Sequence, residues 1–133
     1  MDEINKNIDY VVGKWLESSD NNYLTLNNMI KSKDYIWALF MGHLVLEKIL
    51  KAIFVKKLNK HPLFTHDLLL LATRSNLELS EEYIEWLDTI TTFNINARYD
   101  NYKQDFYKLC TKEFTDTWIN RIEILRRWLM TQF

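Results

Sequence analysis

The segment from residue 34 to residue 58 constrains the fold more than any other part of the chain. Apolar side chains cover almost every face that it would have as a helix: Ile36, Trp37, Leu39, Phe40, Leu44, Val45, Leu46, Ile49, Leu50, Ile53 and Phe54. A helix of this kind must be surrounded by other helices. Because His43, Glu47, Lys48 and Lys51 interrupt it, we expect a buried helix at the centre of a bundle, and no membrane span.

Glycine and proline are scarce in this chain, which has two Gly and one Pro in 133 residues. Turns between strands draw on these residues, whereas long helices do without them. No alternating strand pattern of useful length occurs. We therefore predict an all-α fold, an up-and-down bundle of four to five main helices with a short extra helix, in a single domain over residues 1–133.

Helical spacing of apolar residues predicts long helices at both ends of the chain, over residues 4–31 and 112–131. The first has its apolar positions at Ile4, Ile8, Val11, Trp15, Tyr23, Leu26 and Ile30. Between these two end helices, Ser80 is the predicted N-cap of a further helix. The stretch 94–102 is predicted to connect that helix to the next one.

The connection after the central helix contains Pro62, which ends any helical continuation. Thr65 is the predicted N-cap of a short helix over residues 66–75, with Asp67 in its first turn.

Charge and cysteine content limit the classes of protein that fit. The formal net charge is −1, so nucleic-acid binding would need a local basic patch. The single cysteine, Cys110, allows no intramolecular disulfide, and we expect it to be buried. The start, "MDEINKNIDYVV", does not follow the pattern of a signal peptide. A cytoplasmic protein is the expectation.

Four polar residues near the middle of the chain are candidates for chemistry or for structural support. His43 and Glu47 lie four residues apart on one face of the central helix, while His66 and Asp67 are adjacent. Neither pair belongs to a histidine or cysteine cluster of the kind that binds zinc. We interpret His43, Glu47, His66 and Asp67 as a hydrogen-bonded polar core that supports the fold, with no metal and no cofactor.

The stretch "NINARYDNYKQDFYK", residues 94–108, combines a basic and an aromatic character. Arg98 can bind a phosphate through two hydrogen bonds, and Lys103 adds charge. Three tyrosines could stack on bases: Tyr99, Tyr102 and Tyr107. The alternative is a loop between helices whose arginine pairs with a carboxylate and whose tyrosines close the core. Residue types alone leave both interpretations open.

Three segments, in this order and at these separations, resemble the HEPN domain (higher eukaryotes and prokaryotes nucleotide-binding). They are "WALFMGHLVLEKILKAIFV" (37–55), "THDLLLLA" (65–72) and "FNINARYDNY" (93–102). The resemblance covers nearly the whole chain and implies a bundle of four or five helices that is usually a dimer.

The resemblance also implies functions. Many HEPN domains are metal-independent ribonucleases with an Arg-x4-6-His motif, in which the histidine transfers protons and the arginine stabilises the phosphate. Arg98 corresponds to the arginine, but no histidine follows His66. The segment instead resembles the A-R-Y-x-x-Y form of small stand-alone members, commonly encoded beside a minimal nucleotidyltransferase as toxin-antitoxin-like pairs.

Three hypotheses follow. The first is a non-catalytic or weakly catalytic homodimeric module that binds a nucleotide, RNA or a nucleotidyltransferase partner through Arg98, Tyr99, Tyr102 and Lys103, with no DNA specificity. The second is a ribonuclease toxin with a rebuilt site, in which one of His43, His66 or Lys103 replaces the missing histidine. The third is a purely structural or interaction role.

Overall fold

The structure, a computed structural model, describes the backbone of residues 2–133 and the side chains of residues 7–133. Within this part of the chain it contains six helices and no strand: α1 (Asp2–Lys31), α2 (Tyr35–Leu58), α3 (Leu68–Arg74), α4 (Glu81–Arg98), α5 (Asp100–Leu109) and α6 (Lys112–Met130). The predicted all-α class and the short extra helix, α3, are confirmed.

The central position of α2 is also confirmed, since α1, α3, α4 and α6 all pack against it. Its apolar side chains reach the core in several directions, and many are fully buried: Leu39, Val45, Leu46, Leu50 and Ile53. None of the described helices combines the length and the hydropathy that crossing a membrane requires.

Helix α1 runs without interruption past the polar sequence at its middle. Part of this polar stretch makes a buried contact, in which the Ser19 hydroxyl donates a hydrogen bond to the carbonyl oxygen of Val45 at 2.9 Å. Next to it, Lys48 Nζ donates to the Ser18 hydroxyl at 2.6 Å. These bonds tie α1 to α2. Ile4, the first predicted apolar position, lies outside the described side chains.

Two predicted helix starts have different outcomes. Ser80 caps α4 as predicted, since its side chain accepts a hydrogen bond from the Tyr83 amide at 3.1 Å. Thr65 is not the cap of α3, which begins at Leu68 and is capped by Asp67. The side chain of Thr91, on α4, accepts a hydrogen bond from the Leu68 amide at 3.1 Å. This contact with α4, invisible in the local sequence, accompanies the later start.

The prediction of a loop over residues 94–102 is wrong. Helix α4 continues through Arg98, and α5 begins at Asp100, so only Tyr99 has extended backbone (φ −98°, ψ 127°). The amide of Tyr99 donates the last hydrogen bond of α4, to the carbonyl oxygen of Ile95. Its own carbonyl oxygen accepts the first hydrogen bonds of α5, from the amides of Tyr102 and Lys103. One residue therefore belongs to the hydrogen-bond pattern of both helices.

The two glycines of the chain occupy very different surroundings. A Cβ atom at Gly42 would lie 2.4 Å from Cδ1 of Ile122, so the absence of a side chain allows α2 and α6 to cross closely. A Cβ atom at Gly13, on the exposed side of α1, would meet no atom within 4 Å. Only Gly42 is required by packing.

We expect Gly42→Leu to lower the free energy of unfolding by about 1–3 kcal/mol, because it overpacks the contact with Ile122. Gly13→Ala, the matched control, should raise it by about 0.5–1 kcal/mol, since alanine favours the helix and meets no neighbour. Urea denaturation measures both. Equal effects of the two substitutions would contradict the packing assignment.

Candidate functional site

Arg98 and Lys103 lie over aromatic rings at the outer edge of the bundle. The Arg98 guanidinium carbon is 6.0 Å from the ring centre of Phe40 and 5.6 Å from that of Tyr99. Lys103 Nζ is 5.0 Å from the ring centre of Trp37, whose ring meets Phe40 edge-on at 5.6 Å. We call these five residues, Trp37, Phe40, Arg98, Tyr99 and Lys103, the basic-aromatic surface. Its charges belong to α4 and α5 and two of its rings to α2.

Arg98 is exposed, and one nitrogen of its guanidinium makes a hydrogen bond within the protein. Its Nε donates to the carbonyl oxygen of Asn94, one turn earlier on α4, at 3.1 Å. It forms no ion pair with any carboxylate whose side chain the structure describes. Arg98 therefore does not pair with a core carboxylate, and its two terminal nitrogens can donate hydrogen bonds to a phosphate.

The tyrosines of this region do not close the core. Tyr99 and Tyr102 are each 53% exposed, and Tyr107 is 73% exposed. Phe93 and Phe106, whose ring centres are 5.4 Å apart, fill the interior between α4 and α5 instead. Exposed aromatic rings beside positive charge are typical of surfaces that stack on bases.

Sequence reasoning missed Trp37 and Phe40, because it assigned both to the core of α2. Each side chain is half-buried, with part of the ring at the surface. A signal was present: Trp37, Phe40 and His43 follow one another at intervals of three and so share one face of the helix.

A second group of polar residues extends from α2 to the connection before α3. The carboxylate of Glu47 is buried; one oxygen accepts from Lys51 Nζ at 3.2 Å and the other from His66 Nδ1 at 2.6 Å. His43 Nε2 donates to the carbonyl oxygen of His66 at 2.8 Å. In the structure His66 joins the other two residues: His43 and Glu47 each bond to it, while His43 Nε2 and Glu47 Oε1 are 3.9 Å apart.

His43 is wholly buried, with 0% of its surface exposed. Because a carbonyl oxygen only accepts hydrogen bonds, Nε2 carries the proton, and Nδ1 has no partner among the described residues. Burial lowers the pKa of His43, against the opposing effects of the His66 carbonyl and of Glu47. His43 is thus a neutral, buried support.

His66 differs from His43 in being accessible, with 55% of its side chain exposed. Since the Glu47 carboxylate accepts, Nδ1 is the protonated nitrogen, and Nε2 is left without a hydrogen bond to a described residue. The ring centres of His66 and His43 are 6.2 Å apart, and His66 and Arg98 both act electrostatically to lower the pKa of His43. Asp67 serves only as the cap of α3.

Cys110 and groups of metal-ligating side chains are two further places to look for chemistry in the described residues. Burial raises the pKa of the Cys110 thiol to about 12, so it is a buried cysteine as predicted and a poor nucleophile. No group of three or more His, Cys, Asp or Glu residues in the described part of the chain could hold a metal ion.

A model of the HEPN domain family matches residues 12–132. The chain belongs to the HEPN family. Comparisons with curated proteins and with solved structures give no significant match. The HEPN match spans all six helices in whole or in part, including the basic-aromatic surface and the residues that hold His66.

In this HEPN domain the segment after Arg98 contains no histidine. Lys103, which stands in that segment, lies over the ring of Trp37. The structure places one accessible imidazole, that of His66, 6.2 Å from the His43 ring, and His66 comes from a different part of the chain. The sequence identified Glu47 and His66 as polar residues, but it did not predict the contact between them.

The burial of His43 predicts a pH dependence of stability. The folded pKa lies below the ordinary value of 6.5, so the ring is neutral in both states at higher pH. As the pH falls below 6.5, the unfolded chain binds a proton that the folded chain does not, and stability decreases until the folded pKa is passed.

We therefore expect the free energy of unfolding to fall less steeply in His43→Gln than in the natural protein between about pH 7.5 and 5.5. The comparison of slopes cancels the shared contribution of the carboxylates and other histidines, including Glu47 and His66, which face His43. Urea titrations at several pH values provide the slopes. Parallel slopes in the two proteins would refute the assignment of a buried neutral His43.

Proposed function

We propose that this HEPN protein binds RNA or a nucleotide through the basic-aromatic surface. The single observation that carries the proposal is Arg98, an exposed residue whose guanidinium carbon lies 6.0 Å from the ring centre of Phe40 and 5.6 Å from that of Tyr99, and which forms no ion pair with a described carboxylate. A planar guanidinium with free terminal nitrogens matches two oxygens of a phosphate.

The rings beside Arg98 provide the second part of a nucleotide site. Tyr99 is more than half exposed, and Trp37 lies under Lys103 with part of its ring at the surface. Bases stack on aromatic rings without regard to sequence, which adds affinity to the phosphate contact. Tyr102 follows on the exposed side of α5, one residue before Lys103. The surface thus suits RNA or a nucleotide, and we expect no DNA sequence specificity from it.

We further propose a homodimer and a minimal nucleotidyltransferase as protein partner, in a toxin-antitoxin-like pair. The A-R-Y-x-x-Y sequence at residues 97–102 motivates this proposal, together with membership of the HEPN family. Co-expression with a nucleotidyltransferase encoded beside it, followed by measurement of the mass of the purified complex, tests both parts. A monomer that purifies alone would oppose them.

We expect Arg98→Ala to weaken the binding of RNA or nucleotide about tenfold or more, as for the loss of a charged hydrogen-bonding partner. Its melting temperature should stay nearly unchanged, since exposed substitutions usually alter stability by less than about 0.5 kcal/mol. Fluorescence anisotropy and thermal melting are the measurements.

Arg127→Ala is the matched control, because Arg127 is also exposed and lies in the last turn of its own helix, α6. It should bind as the natural protein does. If Arg98→Ala binds normally but unfolds more easily, by about 1 kcal/mol or more, Arg98 is structural and the proposal fails.

A second candidate function, RNA cleavage, is favoured by the hydrogen bond of 2.6 Å between Glu47 and His66. A buried carboxylate that fixes the tautomer of an accessible imidazole prepares Nε2 to accept a proton. We propose that Nε2 takes the proton of a ribose 2′-hydroxyl, whose oxygen then bonds to the adjacent phosphorus. The bond from phosphorus to the 5′-oxygen breaks, and this oxygen takes a proton from water. Arg98 would stabilise the charge on the phosphate.

If this second function holds, His66→Ala should reduce the cleavage rate at least about 100-fold, the usual contribution of a general base. Glu47→Gln should reduce the rate and change its pH profile, since the amide no longer fixes the same tautomer. Cleavage of labelled RNA in the presence of a chelator is the assay.

His61→Ala is the control here, because His61 is exposed in the same connection before α3. Its rate should match that of the natural protein. Intact RNA after prolonged incubation with the natural protein would end this candidate without affecting the binding proposal.

A further inference from the structure

A groove between the start of α2 and the outer side of α5 adjoins the basic-aromatic surface. It consists of two cavities of about 580 and 650 Å³ that share Ile36, Lys103, Tyr107 and Lys108 as lining residues. Each is within the usual size range of ligand pockets, roughly 300–1,000 Å³. Because they share these residues, the two cavities form one continuous groove.

The groove and the basic-aromatic surface are also continuous with each other. Lys103 and Trp37 belong to both, and they contact each other at 5.0 Å. From Asp100 to Lys108, helix α5 advances about 12 Å at its usual rise per residue. A ligand that fills the groove as well as the Arg98 contact must therefore be longer than a mononucleotide.

The walls of the groove suit a chain of phosphates. Three lysines line it: Lys33, Lys103 and Lys108. No ion pair joins any of them to a carboxylate in the part of the chain with described side chains. Two carboxylates, Asp34 and Asp100, also line the groove, and Asp34 accepts a hydrogen bond from the Ser32 hydroxyl at 3.3 Å. The cations thus outnumber the anions.

Tyr107 adds a stacking position to these charges. It lines both cavities and is 73% exposed, so most of its ring surface is accessible to a ligand. Lysines and an exposed ring along one groove form the usual surface for single-stranded nucleic acid, in which phosphates contact cations and bases stack.

We infer that the ligand is a single-stranded polynucleotide several nucleotides long, which continues from Arg98 along the α2–α5 groove. Its phosphates contact Lys103 and Lys108, and one of its bases stacks on Tyr107. This inference rests on the proposed binding function and extends it from one nucleotide to a strand. The surface chemistry is shared by RNA and single-stranded DNA.

The test compares short and long ligands on the whole 133-residue chain. Labelled oligouridylates of about two and about eight nucleotides are titrated by fluorescence anisotropy, with an oligothymidylate of the longer length as a second arm. We expect the longer strands to bind more tightly. Tyr107→Ala and Lys108→Glu should each weaken binding of the longer strand about fivefold or more, and leave the shorter one nearly unaffected. The comparison of oligouridylate with oligothymidylate shows whether RNA or single-stranded DNA is the preferred ligand.

Lys57→Ala, an exposed lysine at the opposite end of α2, is the control and should bind both lengths normally. Thermal melting of each variant verifies folding, and because two different side chains are tested, one that misfolds does not decide the result. If both groove variants bind the longer strand normally while Arg98→Ala binds it more weakly, the groove is not part of the binding site, and only the proposed function remains. Absence of binding by the natural protein at either length overturns the proposed function and the groove together.

Discussion

The buried carboxylate of Glu47 is the interaction on which the geometry of the candidate site depends. It accepts hydrogen bonds from Lys51, on its own helix, and from His66, on the connection to α3. Lys51 in turn lies 5.4 Å from the ring centre of Trp15 on α1. A buried charge is costly unless it is fully paired, and loss of one partner leaves the other uncompensated. Glu47 thus constrains three segments of the chain at once.

Helix α2 serves both the core and the candidate site. Its fully buried leucines and isoleucines hold the other helices, while Trp37 and Phe40 reach the surface and contact Lys103 and Arg98. The same helix supplies His43 and Glu47, which position His66. A ligand at the basic-aromatic surface would therefore contact a helix that other helices surround and whose close packing leaves little freedom to move.

Sequence patterns predicted most of the fold because helical periodicity and caps are local properties. The buried helix α2 and the Ser80 cap needed only neighbouring residues. The predicted start of α3 was wrong: Asp67 is the cap, and the amide of Leu68 bonds to Thr91, a contact across 23 residues that the local sequence does not show. The site was predicted less completely for the same reason: Arg98 and Lys103 were visible as residue types, but their contacts with Phe40 and Trp37 join distant parts of the chain.

The one-residue break at Tyr99 has a consequence for the thermodynamics of ligand binding. Arg98 ends one helix and Lys103 lies near the start of the next, so neither backbone has to be ordered when a ligand arrives. The entropy cost that a flexible binding loop would add to association is thereby largely avoided. The same rigidity makes the joint intolerant of changes in length. One inserted residue within α5 would turn the following side chains by about 100° and move them away from α2.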